Sequence, residues 1–351
     1  MEPLPNFLCS LENTGNTFYN GFIEPILRLI NLPPKDSTFG RASLPLNFYE
    51  EILRSEPYVH TECKIPFPFN GATDSFIYYQ TWFLPTTKFQ RNTDILYIHG
   101  LNEYGGRFSE TCVPYLEQGF RVIGLDLPGF GRSSGLHAHF NNCNDLIEAV
   151  HEVINHLKIS NDKKRKLILY GGSMGGMIIL SYAIKYPDNF DALSVFAPLI
   201  YVSAESQPPK FVENIAKMLI KTPLGRLPIA SAHSGKSSKD PNHTKLFFED
   251  PLNYRGNLRC STGLALKASA EWLELNLENI SKPFLVQHGL SDRVTRFEGS
   301  KKLFDKAQTP KNQKQIILYE DCEHDMFRDK DSKDKVLEDV INWMISIDLK
   351  L

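Results

Sequence analysis

Residues 170–179 read YGGSMGGMII, in which one serine, Ser173, stands between two pairs of glycines. The apolar run KLILY (166–170) precedes them, and an apolar segment with helical spacing (176–186) follows. A G-x-S-x-G pattern between a buried strand and a helix is typical of a nucleophile elbow, a sharp turn that exposes a serine hydroxyl above a sheet. Glycines let such a turn close because they carry no Cβ atom. We therefore predict that Ser173 is a catalytic nucleophile.

The same pattern occurs a second time around Ser133, in GFGRSSG (129–135). Pro128 and two glycines precede this serine, which indicates a loop, and no apolar helix follows it. Because chance matches to G-x-S-x-G are common in chains of this size, the context must decide between the two. We interpret Ser133 as a loop serine.

Apolar strand-like runs alternate with helical patterns along most of the chain. Several of the runs are continuously apolar, which is typical of strands covered on both faces. The alternation predicts an α/β fold with a mostly parallel sheet and helices on both faces. The predicted strands are 75–83, 94–100, 121–129, 166–172, 192–198, 283–289 and 315–320, and the predicted helices are 140–158, 176–186 and 334–347.

The alternation stops between about residues 199 and 261, where Pro, Ser, Lys and His surround one amphipathic segment. We expect an α/β core of residues 61–198 and 262–351, with residues 199–261 inserted as a lid over the site or, alternatively, as a surface decoration. Residues 1–60 form an N-terminal extension. Its apolar stretch 18–32 could be a helix packed on the core or one lying on a membrane surface.

Composition excludes several classes of function. The formal net charge is −2 among 351 residues, so no broad basic surface for nucleic acid is expected. The six cysteines form no C-x-x-C pair, which argues against a zinc site or a disulfide framework. The N-terminus lacks a secretory pattern, and no apolar stretch is long enough to span a bilayer. We expect a cytoplasmic protein that could associate peripherally with membranes or lipid droplets.

A serine nucleophile needs a histidine base and a group that orients this base. In a strand–elbow–helix fold these partners follow in the order serine, acid, histidine. Of the ten histidines, only His324 combines this order with a loop position after the last strand. Asp292 follows the strand 283–289, at the sheet edge where ligand-facing residues gather. We predict a triad of Ser173, Asp292 and His324.

The tetrahedral intermediate also needs two donors aimed at its oxyanion. One is expected from the main-chain N–H of Met174, directly after the nucleophile, and the other from the loop after the strand 94–100, at Leu101. His99 and Gly100 would then shape this loop. No metal ion and no organic cofactor is implied by this chemistry.

Five motifs in this order resemble the monoglyceride lipase and lysophospholipase branch of the α/β-hydrolase fold, from about residue 62 to the C-terminus. In that family the nucleophile, acid and base match Ser173, Asp292 and His324, and the oxyanion donors match Leu101 and Met174. The motifs are YIHGLNEYGGRF (97–108), LDLPGFGRSSG (125–135), GGSMGG (171–176), HGLSDRV (288–294) and YEDCEHDMF (319–327).

The resemblance also implies a polar corner made by Glu103 and Arg107, which could equally be a salt bridge that holds the loop. Where many relatives have G-H-S-M-G-G, this chain has Gly172 in place of the histidine. This departure leaves the shape of the pocket beside Ser173 open. The resemblance gives the least information about the lid.

The family resemblance implies a serine hydrolase of lipid carboxylic esters, with a lipid ester as its partner molecule. We expect monoacylglycerol as the substrate. A lysophospholipase, a broad-specificity carboxylesterase and a non-catalytic binding protein are the alternatives. The lid is predicted to line the acyl site, with Ile215, Met218 and Leu219 as substrate-binding residues. The apolar residues that it supplies are Phe211, Val212, Ile215, Met218, Leu219 and Ile220. The lid or residues 18–32 are expected to contact a membrane or lipid droplet. The oligomeric state stays open.

Overall fold

One eight-stranded sheet forms the centre of the computed structural model, which describes residues 36–70, 72–87, 90–160, 165–230, 237–238, 240–328 and 331–350. Its strands follow the predicted apolar runs closely, with one further strand, β1, before them. The strands are β1 Val59–Pro66, β2 Phe76–Phe83, β3 Thr93–Ile98, β4 Arg121–Asp126, β5 Lys166–Gly172, β6 Ala192–Phe196, β9 Phe284–Gly289 and β10 Lys314–Tyr319. Two short strands, β7 Pro228–Ala230 and β8 Leu258–Arg259, form a separate antiparallel pair.

The sheet order is β1-β2-β4-β3-β5-β6-β9-β10. β2 is antiparallel to both of its neighbours, and the pairs from β4 to β10 are all parallel. In an open parallel sheet, ligands bind beyond the carboxyl ends of the strands. The loops after β3, β5, β9 and β10 therefore meet at one edge, and they carry the predicted site residues.

Helices cover both faces of the sheet, which confirms the predicted α/β-hydrolase architecture. The described helices are α1 Phe48–Leu53, α2 Ser109–Glu117, α3 Asn144–Ser160, α4 Met174–Lys185, α5 Lys210–Leu219, α6 Pro241–Glu249, α7 Cys260–Asn276, α8 Phe297–Lys306 and α9 Lys333–Asp348. One apolar core lies beneath α3, α4, α7 and α8, and the second beneath α1, α2 and α9. The continuously buried strands β3, β5 and β9 separate these two cores, which explains their unbroken apolar pattern.

The described part of the N-terminal extension packs on the core. Arg41 is buried and donates from Nε to the carbonyl of Gly131 (2.8 Å) and from Nη2 to that of Ser133 (2.7 Å). Asn47 and Glu50 form a capping box at the start of α1. The second G-x-S-x-G loop thus holds the segment around Arg41 in place. The hydroxyl of Ser133 accepts from the Tyr78 amide at 2.8 Å. The stretch 18–32 lies outside the described residues.

In the described residues between β6 and α7, the chain forms two α-helices, α5 and α6, and the small β7–β8 pair. These elements lie in the region predicted as the lid, and several of their residues border the cavity described below. The division into lid and core stays a prediction. Among the described helices, none combines the length and the apolar composition that a bilayer span requires.

Candidate active site

Ser173 occupies a strained turn between β5, which ends at Gly172, and α4, which begins at Met174. Its backbone has φ 53° and ψ −122°, a conformation that side-chain-bearing residues rarely adopt. The main chain holds this turn in place: Ser173 N–H donates to Phe196 O (3.1 Å), and Leu199 N–H donates to Ser173 O (3.0 Å). Ser173 thus has the geometry of a nucleophile elbow.

Close approach of neighbouring atoms explains the glycines of the elbow. A Cβ atom on Gly175 would collide with the carbonyl oxygen of Ile98, and one on Gly172 would collide with the ring of Phe196. The Phe196 ring packs edge-on against Phe327, with 4.7 Å between the ring centroids. The ring of Phe196, from β6, thus fills the space that a side chain at position 172 would occupy.

Asp292 and His324 form a direct pair, with 2.7 Å between Asp292 Oδ2 and His324 Nδ1. Main-chain amides of Val294 (2.7 Å) and Thr295 (2.9 Å) donate to Asp292 Oδ1, and the Thr295 hydroxyl donates to Oδ2 at 2.8 Å. The carboxylate is fully buried, so these donors fix its orientation. Asp292 can therefore hold the imidazole of His324 in one orientation.

His288 is a second histidine on the same carboxylate, and sequence reasoning missed its contact with Asp292. Its Nε2 lies 3.1 Å from Asp292 Oδ2, and its Nδ1 lies 2.7 Å from the Ser300 hydroxyl. The side chain is buried within β9. Its spacing, four residues before Asp292 across the end of a strand, is the signal that could have revealed the contact.

The pKa values of the pair move apart in the directions that favour an ion pair. Burial by itself would raise the pKa of Asp292, but the charge of His324 and the hydrogen bonds from the two histidines hold it well below its ordinary value. Burial would lower the pKa of His324, yet the charge and hydrogen bond of Asp292 raise it overall, with Asp325 and Glu103 contributing. Asp292 thus stays ionised and increases the basicity of His324.

Ser173 and His324 both line one cavity at the carboxyl edge of the sheet. Within the part of the chain that the structure describes, no hydrogen bond joins them. Such bonds are often long without substrate and tighten in the complex. The structure therefore brings the three predicted triad residues to one place, and their catalytic roles stay a prediction.

The two predicted oxyanion residues, Leu101 and Met174, also border this cavity. Met174 opens α4, and Leu101 follows β3. His99 stabilises the latter loop, since its Nε2 accepts from the Leu127 amide (3.1 Å) and its Nδ1 lies 2.8 Å from Gly100 O. Complete burial lowers the pKa of His99 to about 4, so it stays neutral as this acceptor role requires.

The cavity has a volume of about 820 Å³, and α5 contributes Val212, Glu213 and Ala216 to its wall. The predicted acyl-site residues Ile215, Met218 and Leu219 do not line it. Met218 is 75% exposed and Ile215 is 45% exposed. The helical period turns 212 and 216 toward the cavity and 215 and 218 away from it. Of the residues predicted to line the acyl site, Val212 borders the cavity, and the assignment of Ile215, Met218 and Leu219 stays a prediction.

A cluster of charged side chains lies near Ser173 and His324. Arg107 Nε lies 2.9 Å from Glu103 Oε1, so the predicted pair is present as an ion pair. Glu103 lines the cavity, as do Asp325 and Arg328. Arg328 bonds Glu110 at 2.6 Å and Asp325 at 2.9 Å. Sequence reasoning missed Arg328, although its position shortly after His324 offered a signal.

Comparison with known proteins gives consistent matches. The family model Hydrolase_4, described as serine aminopeptidase, S33, matches residues 90–331. A monoacylglycerol lipase of Mycolicibacterium smegmatis is 27% identical over 278 residues, which cover 79% of this chain and 96% of the relative. A caffeoylshikimate esterase of Arabidopsis thaliana is 27% identical over 244 residues, covering 68% of this chain and 72% of the relative.

Among solved structures, a soluble variant of monoglyceride lipase from Saccharomyces cerevisiae, in complex with a substrate analog, superimposes with a TM-score of 0.69. It is 20% identical, and the match covers 87% of this chain and 99% of that one. This likeness supports the fold. Together with the family match, it confirms the resemblance inferred from the five motifs.

Proposed function

The chain belongs to the Hydrolase_4 family (serine aminopeptidase, S33) and is a carboxylic ester hydrolase, and we propose that it cleaves monoacylglycerol to a fatty acid and glycerol through an acyl-enzyme on Ser173. One observation carries the proposal. Ser173, on a strained elbow, borders the same cavity as His324, whose imidazole is already held by the buried carboxylate of Asp292.

In the first half-reaction, Ser173 Oγ attacks the acyl carbonyl carbon while His324 Nε2 takes its proton. Asp292 holds the opposite nitrogen, Nδ1, and stabilises the imidazolium that forms. The main-chain N–H groups of Leu101 and Met174 donate to the oxyanion, a contribution of about 2.7–4 kcal/mol for each donor. The intermediate collapses when His324 passes its proton to the oxygen of the leaving alcohol.

In the second half-reaction, His324 Nε2 takes a proton from water, and the water oxygen attacks the acyl carbon of the ester on Ser173. The bond from that carbon to Ser173 Oγ then breaks, and His324 returns the proton to the serine. A fatty acid leaves, and the free enzyme is restored. Every proton moves through the one imidazole, which is why its raised pKa bears directly on rate.

The apolar wall of the cavity supports a lipid acyl chain as the substrate group. Each methylene buried against it adds about 0.8 kcal/mol, or roughly a fourfold gain in kcat/KM until the cavity is filled. Apolar residues of this wall include Leu199, Ile200, Val202, Val212, Leu264 and Leu266.

A substrate panel tests the proposed activity. We expect kcat/KM for monoacylglycerols to rise several-fold with each added methylene at short chain lengths and then to level off, because the cavity volume is finite. Fatty-acid release from monoacylglycerols, lysophosphatidylcholine and p-nitrophenyl butyrate should be measured side by side. Cleavage of the short, water-soluble ester alone would contradict a lipid substrate, and a preference for lysophosphatidylcholine would favour a lysophospholipase.

The exposed apolar side chains on the outward face of α5 support contact with a lipid surface. Phe211, Ile215 and Met218 are 65%, 45% and 75% exposed, and their spacing puts them on one side of the helix beside the cavity. Full burial of one such side chain contributes about 1.5–3 kcal/mol. We propose that this face inserts into the surface that holds the substrate.

The Met218→Glu variant tests this contact. It should bind phosphatidylcholine vesicles at least tenfold more weakly and lose a similar factor in hydrolysis of vesicle-embedded monoacylglycerol, because a charge must then enter the lipid phase. Vesicle flotation measures the first effect. Ile159→Glu is the matched control, since Ile159 is 85% exposed near the end of α3, away from the cavity. Equal vesicle binding by the wild type and Met218→Glu would exclude this face as the contact.

A further inference from the structure

The proposed mechanism gives no role to His288, a histidine in direct contact with the triad. Its side chain is fully buried within β9. Its Nε2 lies 3.1 Å from Asp292 Oδ2, and His324 Nδ1 lies 2.7 Å from the same oxygen. Two imidazoles, one from the sheet and one from the loop after its last strand, thus share one carboxylate oxygen.

The surroundings of His288 fix the direction of its hydrogen bond. Nε2 faces two acceptors, the ionised Asp292 carboxylate and, at 3.4 Å, the main-chain oxygen of Thr295. A carboxylate and a carbonyl oxygen can only accept, so Nε2 carries a proton and donates to the nearer oxygen. The Ser300 hydroxyl, on α8, lies 2.7 Å from Nδ1. The ring is therefore held at both nitrogens.

The orientation of Asp292 Oδ2 depends on His288. Three groups can donate to this oxygen: His324, His288 and, at 2.8 Å, the Thr295 hydroxyl. The Thr295 hydroxyl has a single proton and also lies 3.1 Å from the main-chain oxygen of Ala197, so it can donate to only one of the two at a time. The N–H of His288 thus holds Oδ2 in line with the imidazole of His324.

The same hydrogen bond withdraws charge from the oxygen that His324 uses. Burial alone would raise the pKa of Asp292, and the charge of His324, followed by the hydrogen bond of His288, lowers it. The carboxylate charge in turn raises the pKa of His324 against the effect of burial. A second donor on the shared oxygen makes this rise smaller. The other charged groups that face the two histidines are Asp325, Glu103 and Glu298.

We propose that His288 is a positioning residue of the catalytic site, which fixes Asp292 Oδ2 against His324 Nδ1 and limits how strongly this oxygen holds the imidazole proton. His288 does not border the cavity, so it acts through Asp292 and not on the substrate. A base that must also return its proton to the leaving alcohol works best when it does not hold that proton too tightly. The inference rests on the proposed ester hydrolysis and adds to it a residue outside the triad.

The His288→Leu variant tests this role because leucine keeps an apolar side chain in the buried site and removes the donor. We expect kcat for monoacylglycerol to fall about tenfold with little change in KM, because the carboxylate is held less firmly. The acidic limb of the kcat/KM profile should move to higher pH, because Oδ2 then raises the pKa of His324 further. Mere displacement of Asp292 from His324 would move the limb to lower pH, since burial would then lower this pKa.

Two further variants separate the hydrogen bond from packing. His288→Gln retains an N–H at the same number of bonds from Cα, so it should restore most of kcat and the wild-type limb. Ser300→Ala releases the ring at Nδ1 and leaves Asp292 untouched. It should move the limb in the same direction as His288→Leu but less far, and it decides the matter if His288→Leu does not fold.

His139→Leu is the matched control. His139 is also buried, with 2% exposure, but its ring faces Asn70 and it does not line the cavity. This variant should keep the wild-type kcat and limb. A limb that stays in place or moves to lower pH in His288→Leu, or a His288→Gln enzyme that behaves like His288→Leu, overturns the assignment. A wild type that cleaves no ester overturns the proposed function as well, whereas an active wild type with an unmoved limb in His288→Leu overturns this inference alone.

Discussion

Replacing Ser173 with alanine should lower kcat for ester hydrolysis by about 10⁴–10⁶-fold, because no acyl-enzyme can form without the hydroxyl. The residual rate would come from the oxyanion donors and from substrate binding alone. The backbone of residue 173 would keep its bonds to Phe196 and Leu199, since both are made by the main chain. The measurement is fatty-acid release under saturating monoacylglycerol, together with covalent labelling by a fluorophosphonate probe.

Ser133→Ala is the control for this variant because Ser133 belongs to the other G-x-S-x-G pattern. Its hydroxyl is buried and accepts from the Tyr78 amide, so its loss should cost about 1–3 kcal/mol in the free energy of unfolding and leave probe labelling intact. A Ser173→Ala protein that still labels would show that another residue is the nucleophile. A wild type that neither labels nor turns over would favour a hydrolase-fold binding protein.

The arrangement around Ser173 could be predicted from sequence because its determinants are local. A strand, a glycine-rich turn and a helix follow one another within about twenty residues, and each has its own pattern. His324 and Asp292 are distant in sequence, but both follow strands of the parallel sheet, whose carboxyl ends meet at one edge. Chain order and topology together were sufficient to predict that His324 lies at the cavity and contacts Asp292.

The wall of the cavity could not be predicted in the same way. Helix α5 carries apolar residues on more than one side, and only tertiary packing decides that Val212 and Ala216 face inward while Met218 faces outward. The ion pair between Arg328 and Glu110 joins residues 218 positions apart. The fit of Phe196 against Gly172 likewise requires β5 and β6 to be neighbours in the sheet.

Strand β1 was missed for a related reason. Its pattern VHTECKIP mixes polar and apolar residues, and it lies at the edge of the sheet with most of its side chains exposed or half-buried. An edge strand needs no continuous apolar run, because only one of its sides is paired and little of it is covered. The position of this strand therefore comes from its pairing with β2.

Replacing Asp292 with asparagine should lower kcat by about 10⁴-fold with little change in the fold. Asp292 Oδ1 receives the amides of Val294 and Thr295, so the carbonyl oxygen of an asparagine would take this position and its NH₂ group would face His324. His324 Nδ1 would then have to accept a hydrogen bond, which places the ring proton on Nε2. An imidazole protonated at Nε2 cannot take the proton of Ser173.

The same variant should move the acidic limb of the pH–rate profile to lower pH. His324 acts as a base only when it is neutral, so kcat/KM falls as the pH drops below the pKa of His324. The charge of Asp292 raises this pKa against the effect of burial, and its removal lets burial lower the pKa.

Asp325→Asn is the matched control for Asp292→Asn. Asp325 also raises the pKa of His324 but is bonded to Arg328, so kcat should fall less than tenfold and the acidic limb should move less. The profiles of kcat/KM between about pH 4 and 9 decide the matter. An Asp292→Asn enzyme with kcat within tenfold of the wild type would show that another carboxylate orients His324.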